Sequence, residues 1–260
     1  TSYGVQMALD LTNPAVVKIR DKKLKLMKED MDASTEIRIK YASTYAQTAN
    51  YWKYFIGQSQ QLKNNGVVEK KKDLENKFQT WAGQDPQRLA KYGYALRDLE
   101  TAYNDMRKLV LARTYLNEAI LQGAGVPFFA YQMGQLKEVI ADTSNPAGLA
   151  EAIAEVRNEG KTFYKDYNIS TDKKLLEAML QMYSEGIAKE NQPAIFDSIR
   201  VRYNGNYKSF VDDVYARSVF ATSDKFNNFL DNPNAAVLEK DPAGELSNSF
   251  LKAYMTNFRP

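Results

Sequence analysis

From residue 13 onward, apolar positions recur at intervals of three and four, the period of an α-helix. The clearest stretch is Ile37, Tyr41, Thr44, Thr48, Tyr51 and Phe55, a 4-3-4-3-4 spacing with Tyr45 and Trp52 alongside. The punctuation is helical too. Five of the eight prolines follow Asn or Asp: Asn13-Pro14, Asp85-Pro86, Asn145-Pro146, Asn232-Pro233 and Asp241-Pro242. An Asx oxygen accepts from the orphan N–H groups of a first turn, and proline fits that turn because it has no N–H to leave unpaired. Each pair therefore predicts a helix start. The predicted helices cover about 14–32, 35–64, 67–82, 87–122, 127–141, 146–160, 172–189, 194–202 and 206–220, with a last one from about 242. GAGVP at 123–127 reads as a helix break. No repeat of fixed period and no low-complexity linker interrupts the pattern. The expected fold is all-α: one large multi-helix domain over 13–258, with long antiparallel helices in its N-terminal half.

Residues 1–12 read differently. YGVQMALDL places apolar residues at 3, 5, 7, 9 and 11, the period of a strand. A lone strand needs a partner for its backbone groups. The segment is expected to be either an extended strand, belonging to a sheet in a larger protein, or an extended linker. The chain opens on Thr1 without an initiator methionine or signal peptide, so it is expected to be a piece of a longer product.

Composition narrows the chemistry. At 260 residues, with 44% hydrophobic and 26% charged positions, the chain can bury a substantial core. The formal charge of +3 does not demand nucleic acid or an anionic membrane, and no apolar run approaches a membrane span. The basic run KIRDKKLKLMK (Lys18 to Lys28) is interleaved with apolar residues at helical spacing and reads as a solvated helix face. The chain has no cysteine and no histidine. Thiol chemistry, the Ser-His-Asp triad and His/Cys zinc sites are thereby excluded. No phosphate-binding loop or calcium loop is present, so neither metal nor cofactor is expected. Asp30 and Asp32, and the adjacent Asp212 and Asp213, read as solvated charges rather than an acid/base pair.

At 100° per residue, Asn50 falls opposite the apolar stripe of its helix and shares a narrow, polar face with Ser43, Ala46, Gln47, Tyr54 and Gly57. Taken alone, that pattern describes an asparagine on an exposed face, while Tyr51 and Trp52 fall on the packing stripe and read as core. Tyr54 could line a cleft.

IRIKYASTYAQTANYWKYFIGQ resembles the helical domain of the bacterial dipeptidyl-peptidases of the seven and eleven types, serine peptidase family forty-six. NPAVVKIRDKKL at 13–24, TSDKF at 222–226 and EKDPAGELSNSF at 239–250 support the likeness. ANYWK is its most specific part, and roughly 120–220 adds little. The resemblance implies a chymotrypsin-like double β-barrel with a helical domain inserted between barrel segments. The triad lies on the barrels, in keeping with the missing histidine, and residues 1–12 would be the chain leaving them. The helical domain would cover the active-site cleft without catalysing anything itself, and Asn50 would help hold the substrate's α-ammonium. The implied partners are peptides with a free N-terminus and the catalytic barrels of the same chain, in a parent that could be a homodimer. The implied location is the periplasm or cell surface of a Gram-negative bacterium. The competing expectation is a stand-alone helical scaffold or adaptor that binds a protein partner through its aromatic surface.

Overall fold

A computed structural model describes residues 1–257. Among these residues there is no strand. Helices α1 (Ser2–Met7) and α2 (Asn13–Ala33) are joined by a π-helical turn at Ala8–Thr12. α3 (Thr35–Asn64) is the longest helix, followed by α4 (Val67–Gly83), α5 (Pro86–Tyr92) and α6 (Ala95–Tyr115). A second π-helical turn, Leu116–Leu121, leads to α7 (Gly125–Gln132) and α8 (Leu136–Ala141). α9 (Pro146–Lys165) and α10 (Ile169–Gly186) precede α11 (Ile195–Arg202) and α12 (Tyr207–Arg217). α13 (Ser223–Asp231), α14 (Ala235–Glu239) and α15 (Pro242–Asn257) complete the described chain.

The strand or linker expected at the N-terminus is a helix. α1 packs against both α4 and α6. Ser2 donates from its N–H and its hydroxyl to Glu75, and Tyr3 stacks on Tyr103 at 6.2 Å. A helix with neighbours on two sides is partly buried almost all round, so apolar residues at every second position do not betray a sheet. The helical form also satisfies its backbone groups internally, which an unpaired strand could not do.

The Asx-Pro pairs divide according to backbone. Asp85 and Asn145 cap α5 and α9, and Asp241 accepts from Ala243 and Gly244 at the start of α15. Asn13 caps nothing, because the chain enters α2 already helical; its amide instead bridges to Gln58 and Ser59 on α3. Asn232 ends α13, and Asn234 caps α14. The helix expected over 87–122 breaks at Gly93-Tyr94 and widens into the second π turn. α13, outside the predicted helices, has its first turn capped by Thr222.

Burial is uneven. The core is built from α2, the end of α6, the second π turn, α7, α10–α13 and α15, with an aromatic nest in which Phe129 stacks on Phe163 at 4.4 Å and meets Phe220 and Phe226 edge-on. Gly160 lets α9 approach the Phe226 ring, where a Cβ would come within 2.6 Å. By contrast, between residues 35 and 110 only Tyr41, Thr48 and Ala82 are buried. Among the described residues, nine of the fourteen exposed large hydrophobic residues, from Ile39 to Met106, lie in this same stretch. α3, α4, α5 and the first part of α6 thus form an arm with almost no core of its own, attached to a well-packed body chiefly where α3 lies along α2.

Candidate functional site: the α3 arm and the groove at its root

α3 starts because Ser34 caps it, accepting from Ile37 N–H, and it turns back into α4 through Gly66, whose φ of +56° suits a residue without Cβ. Asn50 sits on this helix with its side chain exposed, as the pattern predicts. Among the described residues nothing in the domain hydrogen-bonds its amide. On the same face Tyr54 is 57% exposed, accepts from Gln58 Nε2 at 3.1 Å and packs edge-on to Phe55. A Cβ added at Gly57 would meet nothing within 4 Å, so the face is open over two turns.

The stripe facing the body is only partly as expected. Tyr41 and Thr48 are buried, and Trp52 is half-buried against the core. Tyr51 is not core: it is 52% exposed and lines a groove between α2, α3 and the second π turn. This groove, about 620 Å³, is also lined by Arg20, Gln47, Phe55, Glu118 and Phe128. A second cavity of about 290 Å³ continues it toward Phe163, Tyr167 and Asp172, and Lys23, Thr44, Leu121, Gln122 and Phe128 line both. Asn50 and Tyr54 line neither cavity. They stand on the arm's outer side, and the structure does not bring them into the groove.

The groove holds charges that the sequence reading placed in solvent. Arg20 is buried, with Nε 2.7 Å and Nη2 3.0 Å from the two oxygens of Glu118 and Nη2 also on Gln122 at 3.1 Å. Its guanidinium lies 5.2 Å from the centre of the Tyr51 ring. Lys23 is half-buried and donates to the Gln122 carbonyl. So the basic run of α2 is not a uniformly solvated face: Lys18, Lys22, Lys25 and Lys28 are exposed, while Arg20 and Lys23 turn inward.

Burial pushes the Lys23 ammonium down from 10.5 to about 8, with Arg20 adding to the shift and Asp172 and Glu118 opposing it. The folded state therefore releases this proton before the unfolded chain does. Between about pH 8 and 10.5 the unfolded state binds more protons, so Lys23 makes stability rise with pH across that window. Urea unfolding of wild type and Lys23→Met at about pH 7.5 and 9.5 measures this term by difference, free of the tyrosines. Wild type is expected to gain on the variant as pH rises; a constant difference contradicts the buried ammonium.

Asp172, 2% exposed, forms the base of the smaller cavity. It accepts from Gly125 N–H at 2.5 Å, Val126 N–H at 2.9 Å and the Tyr215 hydroxyl at 2.6 Å, capping α7 from 47 residues away. Burial raises its pKa against the pull of these donors. Asp30, expected in solvent, is buried as well, holding Thr171 at 2.7 Å and Lys174 and so tying α2 to α10. Asp32 pairs with Lys28 on the surface, Asp212 with Lys173 and Lys208, and Asp213 with Arg217. Among the described residues no group of three His, Cys, Asp or Glu could hold a metal ion, and no helix is long and apolar enough to cross a membrane.

The geometry defines an all-α domain with a bare helical arm and a polar groove at the arm's root. The chain belongs to the peptidase S46 family, whose model matches residues 1–259. It is 36% identical over 258 residues to dipeptidyl-peptidase 7 of Porphyromonas gingivalis, covering 97% of this chain and 35% of that protein. Among solved structures it resembles DPP11 of Porphyromonas endodontalis, with a TM-score of 0.80 and 26% identity over 98% of this chain and 36% of that one. The same DPP11 in complex with the dipeptide Arg-Glu matches with a TM-score of 0.78 and 25% identity, again over 98% of this chain and 36% of that one. The chain therefore spans about a third of the length of the relatives it matches.

Proposed function

We propose that this chain is the substrate-gating helical domain of a serine dipeptidyl-peptidase. It covers the catalytic cleft and helps bind the free N-terminus of oligopeptide substrates, and Asn50 is one of the groups that hold the α-ammonium. The observation that carries this reading is the exposure of Asn50 at the middle of a helix on an arm that buries almost nothing. Its amide oxygen is a free acceptor, and a bond from an ammonium donor is charge-assisted. Holding the terminus at a fixed distance from the nucleophile sets the register, so the chain is cut after its second residue.

The arm's apolar outer surface supports a second element of the proposal. A segment of this length with three buried residues leaves apolar area in water that a neighbour would cover. The neighbour proposed here is the catalytic double barrel of the same chain, with Asn50 and Tyr54 near the seam. The parent is proposed to act in the periplasm or at the cell surface of a Gram-negative bacterium.

On this account the isolated domain folds without metal or cofactor and has no peptidase activity, since the nucleophile and its base belong to the barrels. Circular dichroism of the purified domain should show a cooperative helical melt, and dipeptidyl chromogenic substrates should stay intact. Hydrolysis that copurifies with the domain would contradict the proposal.

A further inference from the structure

The arm raises a mechanical question: what keeps Asn50 at a fixed height, when so little of α3 is buried? Between residues 42 and 64 the helix buries only Thr48. A ligand-holding group must keep its place within a fraction of an ångström to be useful. α3 packs along α2 and sets Tyr45, Ala49 and Trp52 against the core, but on the groove side next to Asn50 the Tyr51 ring stands half in water.

The residue next to Asn50 carries the answer. Tyr51 is more than half exposed, yet the Arg20 guanidinium lies against its ring at 5.2 Å. Arg20 itself has little freedom. It reaches both oxygens of Glu118 and the side-chain oxygen of Gln122. The planar fork that grips a carboxylate also presents a flat face to an aromatic ring, which a lysine cannot do. Glu118 lies within the π-helical turn Leu116–Leu121, on the edge of the body. The chain of contacts therefore runs body, Glu118, Arg20, Tyr51, and then one peptide bond to Asn50.

We propose that Arg20 is a positioning residue for substrate binding: clamped by Glu118 and Gln122, it holds the Tyr51 ring and thereby fixes where α3 presents Asn50. This inference rests on the proposed role of Asn50. It assigns no contact with substrate to Arg20 itself. A fold-stabilising ion pair alone would not depend on the Tyr51 ring or on the presence of Asn50.

The test is a double-mutant cycle on kcat/KM in the full-length protein, using a dipeptidyl substrate with a free N-terminus. Tyr51→Leu removes the ring, Tyr51→Phe keeps it, and Arg20→Met removes the guanidinium; each is made with Asn50 present and in the Asn50→Ala background. Tyr51→Leu and Arg20→Met are each expected to lower kcat/KM by about three- to tenfold when Asn50 is present. Tyr51→Phe should restore the activity, and all three should have no further effect once Asn50 is Ala. Equal losses in both backgrounds would overturn the inference and leave the role of Asn50 intact, since Tyr51 would then touch substrate or support the fold directly. No loss from Tyr51→Leu overturns it as well. A neutral Asn50→Ala sinks the proposed binding role and this inference together. Should Arg20→Met fail to fold, the exposed Tyr51→Leu and Tyr51→Phe pair decides the matter alone.

Discussion

Replacing Asn50 by Ala in the full-length protein is expected to lower kcat/KM for dipeptidyl substrates by about ten- to a hundredfold. The magnitude follows from a hydrogen bond to a charged group, about 1.5–3 kcal/mol, converted at about 1.4 kcal/mol per factor of ten. Asn50 is exposed and forms no hydrogen bond among the described residues, so the substitution should leave folding unchanged. Asn50→Asp separates acceptor chemistry from shape. A carboxylate also accepts from an ammonium, so this variant should keep most of the activity, whereas the similarly sized Asn50→Leu should behave like Ala. Wild-type kinetics for Asn50→Ala would mean that the α-ammonium is held by other groups.

The second large effect is on stability. Asp172→Ala is expected to destabilise the domain by about 3–5 kcal/mol, seen as a lower urea midpoint and a melting temperature reduced by roughly 10 °C. The substitution strands the N–H groups of Gly125 and Val126 and the Tyr215 hydroxyl. Each orphaned buried donor costs about 1–3 kcal/mol. The full sum is not expected, because burial raises the Asp172 pKa and relieving that desolvation offsets part of the loss. Asp172→Asn keeps one acceptor oxygen but points an NH₂ at a donor, and should fall between Ala and wild type. A loss under about 1 kcal/mol for Asp172→Ala would show that water from the adjoining cavity takes over the carboxylate's bonds.

Both predictions depend on placements that were unequally visible in the sequence. The all-α fold was legible because helical period and helix caps are local: Asp85 and Asn145 do what their sequence context implies. Asn13 and Asn232 have the same context and cap nothing: Asn13 stands where the chain is already helical, and Asn232 ends α13 while the next helix starts at Ala235 and takes its cap from Asn234. The N-terminal alternation misled for a related reason, since a helix lying between two neighbours buries residues at any period. The exposure of Asn50 could be read from the helical wheel, but its chemistry could not; the ammonium-binding role proposed for it comes from the resemblance.

The charges at the root of the arm were out of reach. Arg20 meets Glu118 across 98 positions and Asp30 meets Thr171 across 141, and local pattern carries no signal at such separations. A basic residue within an otherwise solvated run differs from its neighbours only once the partner helix is in place. Tyr51 illustrates the converse: it sits at a stripe position, yet the groove beneath it leaves the ring half in water over a guanidinium.

The most direct test of the account is a crystal structure of the full-length protein with a dipeptide bound. The account predicts Asn50 Oδ1 within hydrogen-bonding distance, about 2.7–3.2 Å, of the peptide's α-nitrogen, with the arm covering the cleft and Arg20 still beneath Tyr51. A bound dipeptide whose α-nitrogen is held entirely by other residues, with Asn50 facing solvent, would contradict it.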